Sequence, residues 1–140
     1  MAETATIQVD IVSAEGEIFS GPAAEVDAPA SEGSIGIHPR HAPLLTLLKA
    51  GEVRVKTPDG EQHFFFVGGG ALEVQPNKVT VLADTALRAK DVDEAAAAQA
   101  KQRAEEAMSN AKSEVDLARA QAELVQAAAL MQFLDKIKKR

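Results

Sequence analysis

The sequence predicts an α+β chain: an N-terminal all-β sandwich of about ten short strands, then a C-terminal antiparallel two-helix hairpin. Three observations carry this. Through about residue 85, apolar and polar residues alternate in short runs punctuated by glycine and proline. Around residues 84–90 the composition changes: glycine and proline disappear and alanine dominates. Beyond that point apolar residues recur at helical spacing behind two capping signals. The sequence therefore divides into a β domain over 1–85 and a helical domain over 86–140.

Ile7, Val9 and Ile11 alternate with Gln8 and Asp10, the pattern of a half-buried strand. Gly16 marks a turn, and Glu17-Ile18-Phe19-Ser20 returns as a short strand that Gly21-Pro22 is expected to break. A third, alanine-rich strand follows over 23–28 and is expected to end at Pro29. The next stretch organises the β half. Gly33-Ser34-Ile35-Gly36-Ile37 is a short apolar strand, and a loop stiffened by Pro39 and Pro43 follows it. The loop carries His38, Arg40 and His41, with Ile35, Ile37, Leu44 and Leu45 expected to anchor it. Stiff loops on a β scaffold are common partner contacts.

Residues 51–57 alternate cleanly, Pro58-Asp59-Gly60 supplies turn chemistry, and 61–67 returns as the hairpin partner. Phe64, Phe65 and Phe66 are consecutive, so this strand has apolar groups on both faces. Gly68-Gly69-Gly70 has no following Lys-Ser/Thr and precedes a strand-like run. It fits a β-bulge or tight crossing rather than a phosphate loop. A last hairpin spans 71–83 around Pro76-Asn77. Leu72, Val74, Val79, Val81 and the phenylalanines are the expected core.

In the helical half, Asp91 with Glu94 three residues later predicts a helix over 92–108, interrupted at Ser109-Asn110. Ser113 with Asp116 predicts a second, longer helix to about 138. Leu117, Ala120, Leu124, Ala127, Met131 and Leu134 repeat at heptad spacing on the second helix, opposite a stripe of Ala96, Ala100, Ala104, Ala107 and Ala111 on the first. An alanine contact buries far less than a leucine, which contributes about 1.5–3 kcal/mol when fully buried. Two helices also lack a closed core. The hairpin is therefore expected to be marginal alone. Either it packs permanently on the sandwich, or it exchanges between docking modes that a partner can select.

The net charge of −6 argues against nucleic acid as a partner. Residues 1–88 hold 6 basic and 12 acidic side chains and so carry the whole excess. There is no cysteine, hence no disulfide framework or thiolate metal site. The N-terminal residues lack the features of a secretory signal or an Arg-rich transit peptide, and no apolar run is long enough to span a bilayer. A membrane role is expected only through partners.

Little in the chain resembles catalytic machinery. There is no Gly-x-Ser-x-Gly elbow, and Pro39 keeps His38 and His41 from sharing a helix face. His63 stands in a strand, and no acidic ligand spacing accompanies the histidines, so neither a metal nor a cofactor is expected. Asp91/Asp93 and Glu105/Glu106 read as caps and solvated faces. A β-sandwich enzyme or carbohydrate binder would want exposed aromatics, yet there is no Trp or Tyr.

Ser31-Glu32-Gly33-Ser34-Ile35-Gly36-Ile37-His38-Pro39-Arg40-His41-Ala42-Pro43-Leu44-Leu45 resembles the epsilon subunit family of the rotary F-type ATP synthase. There a small-Glu-Gly-x-Leu/Ile-Gly-Ile segment leads into Pro-Gly-His-Ala-Pro-Leu, and Arg40 stands where glycine is usual. Val9-Asp10-Ile11-Val12-Ser13, Gly68-Gly69-Gly70-Ala71-Leu72-Glu73-Val74 and Val79-Thr80-Val81-Leu82-Ala83-Asp84 extend the likeness across the β half.

The resemblance implies a non-catalytic rotor subunit of a proton-translocating synthase, peripheral on the cytoplasmic face of the bacterial inner membrane. Its ten-stranded sandwich would bind the gamma subunit and the c-ring loops. Its hairpin would be regulatory, extending toward the catalytic alpha/beta ring to inhibit ATP hydrolysis. Residue by residue, the resemblance puts Glu32, Gly33 and Ser34 at the c-ring, with Ser34 where an acid is frequent, and His41 toward gamma, with His38 and Arg40 beside it. The basic residues Lys136, Lys138, Lys139 and Arg140 would meet the beta subunit when the hairpin extends.

Some members bind ATP on the hairpin through Leu/Ile-Asp-x-x-Arg-Ala. Here Asp93 is kept but Ala96 replaces the arginine, which removes a phosphate partner. Arg103 and Arg119 remain as candidate ATP contacts. Weak or absent ATP binding is expected. A nucleotide-sensing module is the alternative reading.

Overall fold

The computed structural model describes residues 5–139. The chain divides into two compact units between Arg88 and Ala89.

The first unit is built from eight strands: β1 (Ile7–Ser13), β2 (Gly16–Ala23), β3 (Glu25–Ala30), β4 (Gly33–Ile37), β5 (Leu44–Lys56), β6 (Gln62–Gln75), β7 (Lys78–Ala83) and β8 (Ala86–Arg88). Their hydrogen-bonded order is β2-β1-β7-β6-β5-β3-β4, with β8 on the N-terminal half of β6. All neighbours are antiparallel except β1 and β7.

Eight strands rather than ten follow from β5 and β6, which run unbroken through segments whose sequence suggests separate short strands. Each serves both layers. The C-terminal half of β6 pairs with β7 from Gly70 onward, while residues 65–67 pair with β8. The corner between the halves is Gly68-Gly69-Gly70. Gly68 N–H donates to Thr85 O at 2.8 Å, and Asp84 N–H to Gly69 O at 3.0 Å, so the β7–β8 segment turns with β6. Gly70 sits at φ +136°, and a Cβ there would lie 2.0 Å from Leu82 O. The triple glycine is thus a required close crossing. Counting the halves of β5 and β6 separately restores the expected ten.

Two prolines also stand inside strands rather than ending them. Pro22 opposes Gln8 on β2, the edge strand, where a missing N–H costs little. Pro29 lies in β3 where its pairing with β5 shifts register between Asp27 and Ala30, a bulge that removes the need for its donor.

The core takes the inward positions of every strand: Ile7, Val9, Ile11, Val26, Ile37, Val53, Val55, Val67, Leu72, Val79 and Val81 are 0 % exposed. Phe65 is buried with them, and Phe19 packs on it with ring centroids 5.5 Å apart. The Pro58-Asp59-Gly60 turn forms between β5 and β6. Gly60 has φ +92°, and Asp59 accepts from Glu61 N–H at 3.1 Å and from the Thr57 hydroxyl.

In the second unit a 3₁₀ turn (Ala89–Asp91) precedes α1 (Glu94–Ser109) and α2 (Glu114–Lys138). The cap of α1 is Asp93, two residues beyond the expected Asp91; its carboxylate accepts from Ala95 N–H at 2.9 Å and Ala96 N–H at 3.3 Å. Ser113 caps α2 as the sequence predicts, accepting from Asp116 N–H at 3.1 Å. On α1 the buried residues are Ala97 and Ala104, with Lys101 and Met108 half-buried and Ala111 half-buried just beyond its end, so the inward stripe is shifted from the predicted one. Ala96, Ala100 and Ala107 are exposed. In so alanine-rich a helix, several stripes look alike from spacing. On α2, Ala120, Ala127 and Leu134 are buried and Leu124 and Met131 half-buried, whereas Leu117 is exposed.

Candidate functional site

The loop over 38–43 is fixed from below. Arg40 N–H donates to Pro76 O at 2.8 Å, tying the loop to the β6–β7 turn, and His41 N–H donates to His38 O at 3.2 Å. Arg40 adopts φ 67°, left-handed backbone that glycine takes without strain. The sequence signal was the residue itself, an arginine where the resembling pattern has glycine. Ile37 is buried and Leu44 packs against the core, but Leu45 is 74 % exposed and anchors nothing. His38 Nε2 lies 3.8 Å from Glu25 Oε1, and His41 Nδ1 lies 2.6 Å from Ala42 O.

Glu32, Gly33 and Ser34 are not part of this loop. Glu32 occupies the β3–β4 turn, Gly33 opens β4 at φ +136°, and Ser34 pairs with Pro29. The five residues of β4 separate the turn from His38, roughly 17 Å at strand rise. The candidates in 31–41 therefore form two sites at opposite ends of one strand.

Leu45 faces outward because residues of one strand alternate sides, and Leu47 follows it, 67 % exposed. Leu47 opposes Ala71 on β6, Ala71 opposes Leu82 on β7, and Leu82 opposes half-buried Val12 on β1. The result is an apolar row across four strands on the outer face, with Leu82 53 % exposed. The neighbouring row is polar. Asp10 accepts from Ser20 Oγ at 2.7 Å and Gln8 Nε2 at 3.1 Å, and Lys78 Nζ lies 3.1 Å from its other oxygen. These bonds hold the Asp10 carboxyl below its ordinary value, Ser20 contributing most. The leucines were missed as site residues. Their signal was present in Leu44-Leu45-Thr46-Leu47-Leu48, apolar at both parities of a strand with one face in the core.

On the far layer, Arg54 on β5 donates through Nε to Asp27 Oδ2 at 2.9 Å, with its Nη2 on the same oxygen and 3.8 Å from Glu25 Oε1. The Asp27 bond raises the arginine further above its ordinary range. This is a structural pair between β3 and β5.

In the hairpin, Asp93, Arg103 and Arg119 do not form one site. Asp93 is committed to the α1 cap, ten residues and about 15 Å of helix from Arg103. Arg103 lines a groove of about 330 Å³ with Ala100, Glu123, Gln126, Ala127 and Leu130. Arg119 lines a second groove, of about 230 Å³, with Asp116 and Glu123. In each, carboxylate shares the lining with the only cation, which suits a phosphate chain poorly. Lys138 pairs with Glu94, joining the open ends of the hairpin, and both are more than half exposed. Lys136 and Lys139 are exposed at the end of α2; Arg140 lies outside the described residues. Val115, Ala118, Ala122 and Val125 are all exposed, a second apolar stripe at 3- and 4-residue spacing that leads to half-buried Ala129. No described helix is long and apolar enough to cross a membrane, and no cluster of potential metal ligands occurs among the described residues.

Residues 6–89 match the ATP synthase delta/epsilon chain beta-sandwich domain, and residues 90–134 match its long alpha-helix domain. This chain belongs to the ATP synthase delta/epsilon family. Within it, the chain is 60 % identical over 135 residues to the ATP synthase epsilon chain of Alkalilimnicola ehrlichii, covering 96 % of both chains. It is 58 % identical, at the same coverage, to that of Nitrosococcus oceani. The fold is shared with a chain of the Euglena gracilis mitochondrial ATP synthase at a TM-score of 0.82 and 20 % identity, over 93 % of this chain and 82 % of that one. A chain from the Tetrahymena thermophila enzyme shares it at 0.67 and 13 % identity, over 95 % and 99 %. Delta/epsilon membership thus covers both units, and it groups the chain with bacterial epsilon chains rather than catalytic subunits.

Proposed function

We propose that this chain is a non-catalytic central-stalk subunit of a proton-translocating ATP synthase, held by its sandwich and regulating through its hairpin. The observation that carries the reading is the outward apolar row of Leu47, Ala71 and Leu82, beside Leu45, on a sandwich of the delta/epsilon family. A water-facing leucine row across a sheet is the mark of a protein partner. The gamma subunit is the partner proposed for this face, with His38, Arg40 and His41 at its edge. The turn carrying Glu32, Gly33 and Ser34, at the other end of β4, is proposed to rest on the c-ring loops. One strand would thus space two partners. Residence on the cytoplasmic face of a bacterial inner membrane would follow from those partners.

Two features support a mobile, inhibitory hairpin. First, α2 carries apolar residues on two faces, and the stripe from Val115 to Val125 is exposed. Second, the clasp between Glu94 and Lys138 is an exposed ion pair, worth about 0–1 kcal/mol, so opening it costs little. Extension would free Lys138 to act with Lys136, Lys139 and Arg140 on the catalytic alpha/beta subunits. The carboxylates beside Arg103 and Arg119, with Asp93 committed to its cap, support weak or absent ATP binding on this hairpin.

The test is binding to an ATP synthase catalytic complex stripped of its epsilon subunit. Leu47→Glu places a charge at the β5 end of the row, on a side chain that is 67 % exposed and outside the core. It should leave the melting temperature within a few degrees of wild type and weaken binding at least about tenfold. Unchanged affinity would remove this face from the interface.

A further inference from the structure

We infer that Arg40 is a partner-reading residue: an uncommitted guanidinium on a held backbone that takes a carboxylate on the subunit docked against the outer leucine row. The inference rests on the stalk reading above and adds a residue-level contact that the general placement of the loop does not specify.

Among the described residues Arg40 is the only non-glycine with positive φ. Its Cβ makes that backbone unfavourable, and glycine would adopt it freely. The scaffold nonetheless holds it there through the bond from Arg40 N–H to Pro76 O, between Pro39 and Pro43. Backbone strain that the surrounding structure enforces at an exposed loop implies a use for the side chain. The other two arginines of the β unit are engaged within it: Arg54 with Asp27 and Glu25, and Arg88 with Ile18 O at 2.8 Å. Arg40 is exposed, and no hydrogen bond or ion pair to its guanidinium occurs among the described residues.

Charge narrows the partner. Residues 1–88 carry twice as many acidic as basic side chains, so an extended anionic surface such as a lipid leaflet would be repelled. One cation in that field suits one carboxylate on a protein, which a guanidinium grips with two parallel N–H donors. Position narrows it further. The loop runs directly into β5, and Leu45 and Leu47 lie five and seven residues beyond Arg40, so the cation stands at the rim of the apolar row. A charged rim around an apolar centre sets register and partner choice.

The experiment compares wild type, Arg40→Gly and Arg40→Lys as full chains, for thermal stability and for binding to the epsilon-depleted catalytic complex across a salt series. Arg40→Gly should melt a few degrees higher, because the strain is gone, yet bind about tenfold more weakly with a flatter salt dependence. Arg40→Lys, which keeps charge but not the fork, should fall between. Opposite signs for folding and binding are what a merely structural role would not give. Equal binding by wild type and Arg40→Gly at every salt concentration overturns the inference and leaves the stalk reading standing. No binding by wild type overturns both. Arg40-dependent binding to vesicles of anionic phospholipid, rather than to the complex, overturns the choice of a protein carboxylate.

Discussion

The two units bury their side chains differently. The sandwich closes on β-branched and aromatic residues: eleven aliphatic side chains larger than alanine are fully inaccessible, and Phe65 in the same cluster is 3 % exposed. Each such group contributes about 1.5–3 kcal/mol on burial. In the hairpin, α1 buries only Ala97 and Ala104. Its partner α2 buries Ala120, Ala127, Phe133 and Leu134 while leaving Val115, Leu117 and Val125 exposed. One unit has spent nearly all its apolar surface inside itself, apart from one outward row. The other keeps a stripe unspent along the N-terminal half of α2. A molecule that must stay attached while part of it changes partner needs this asymmetry, because local opening draws on the least stabilised elements.

Substitutions can break or sharpen that contrast. The largest effect is expected at Gly70→Ala in the sandwich. A Cβ there would meet Leu82 O at 2.0 Å and Ala83 Cα at 2.9 Å, on strands that cannot part without opening the core. A loss of at least about 3 kcal/mol in chemical denaturation is expected. A loss under about 1 kcal/mol would mean the corner is softer than its geometry implies. Ala104→Gly in the middle of α1 is the hairpin counterpart. It should cost about 1 kcal/mol, read as faster amide exchange confined to residues 94–138, with the sandwich amides unchanged. Faster exchange throughout would mean the two units unfold together.

The smallest effect is expected at Asp10, on the polar row beside the leucines. Its hydrogen bonds from Ser20 and Gln8, and Lys78 beside it, stabilise the ionised carboxyl, so folding lowers its pKa from the ordinary 3.8. That contribution is complete above pH 3.8 and is lost as pH falls through the folded value. Wild type should therefore melt above Asp10→Asn at pH 7, and the gap should begin to close once pH falls below 3.8. A gap independent of pH would assign the difference to geometry rather than ionisation.

Much of the fold was legible because strand parity and turn chemistry are local. Ile7, Val9 and Ile11 face the core as alternation predicts, and Pro58-Asp59-Gly60 turns where it should. What was not legible depended on partners in space. Pro22 is tolerated because β2 is an edge, and Pro29 because the β3–β5 register slips beside it. Neither fact is local. The triple glycine was readable as a crossing but not as the point where β6 exchanges β7 for β8. Alanine content concealed the inward face of α1, since Ala96 and Ala97 differ only in direction.

The candidate surfaces divide the same way. Glu32 and His41 are nine residues apart in the chain, and β4 is the element that holds them at opposite ends of one strand. The leucine row needed three strand registers to become visible.

The central claim is that the sandwich anchors and the hairpin restrains. It is tested most directly by ATP hydrolysis in an epsilon-depleted catalytic complex reconstituted with either the full chain or a truncation ending at Arg88. Both should bind, and only the full chain should slow hydrolysis. If both bind and the rates are equal, the hairpin is a permanent structural appendage, and the unspent face of α2 has another use.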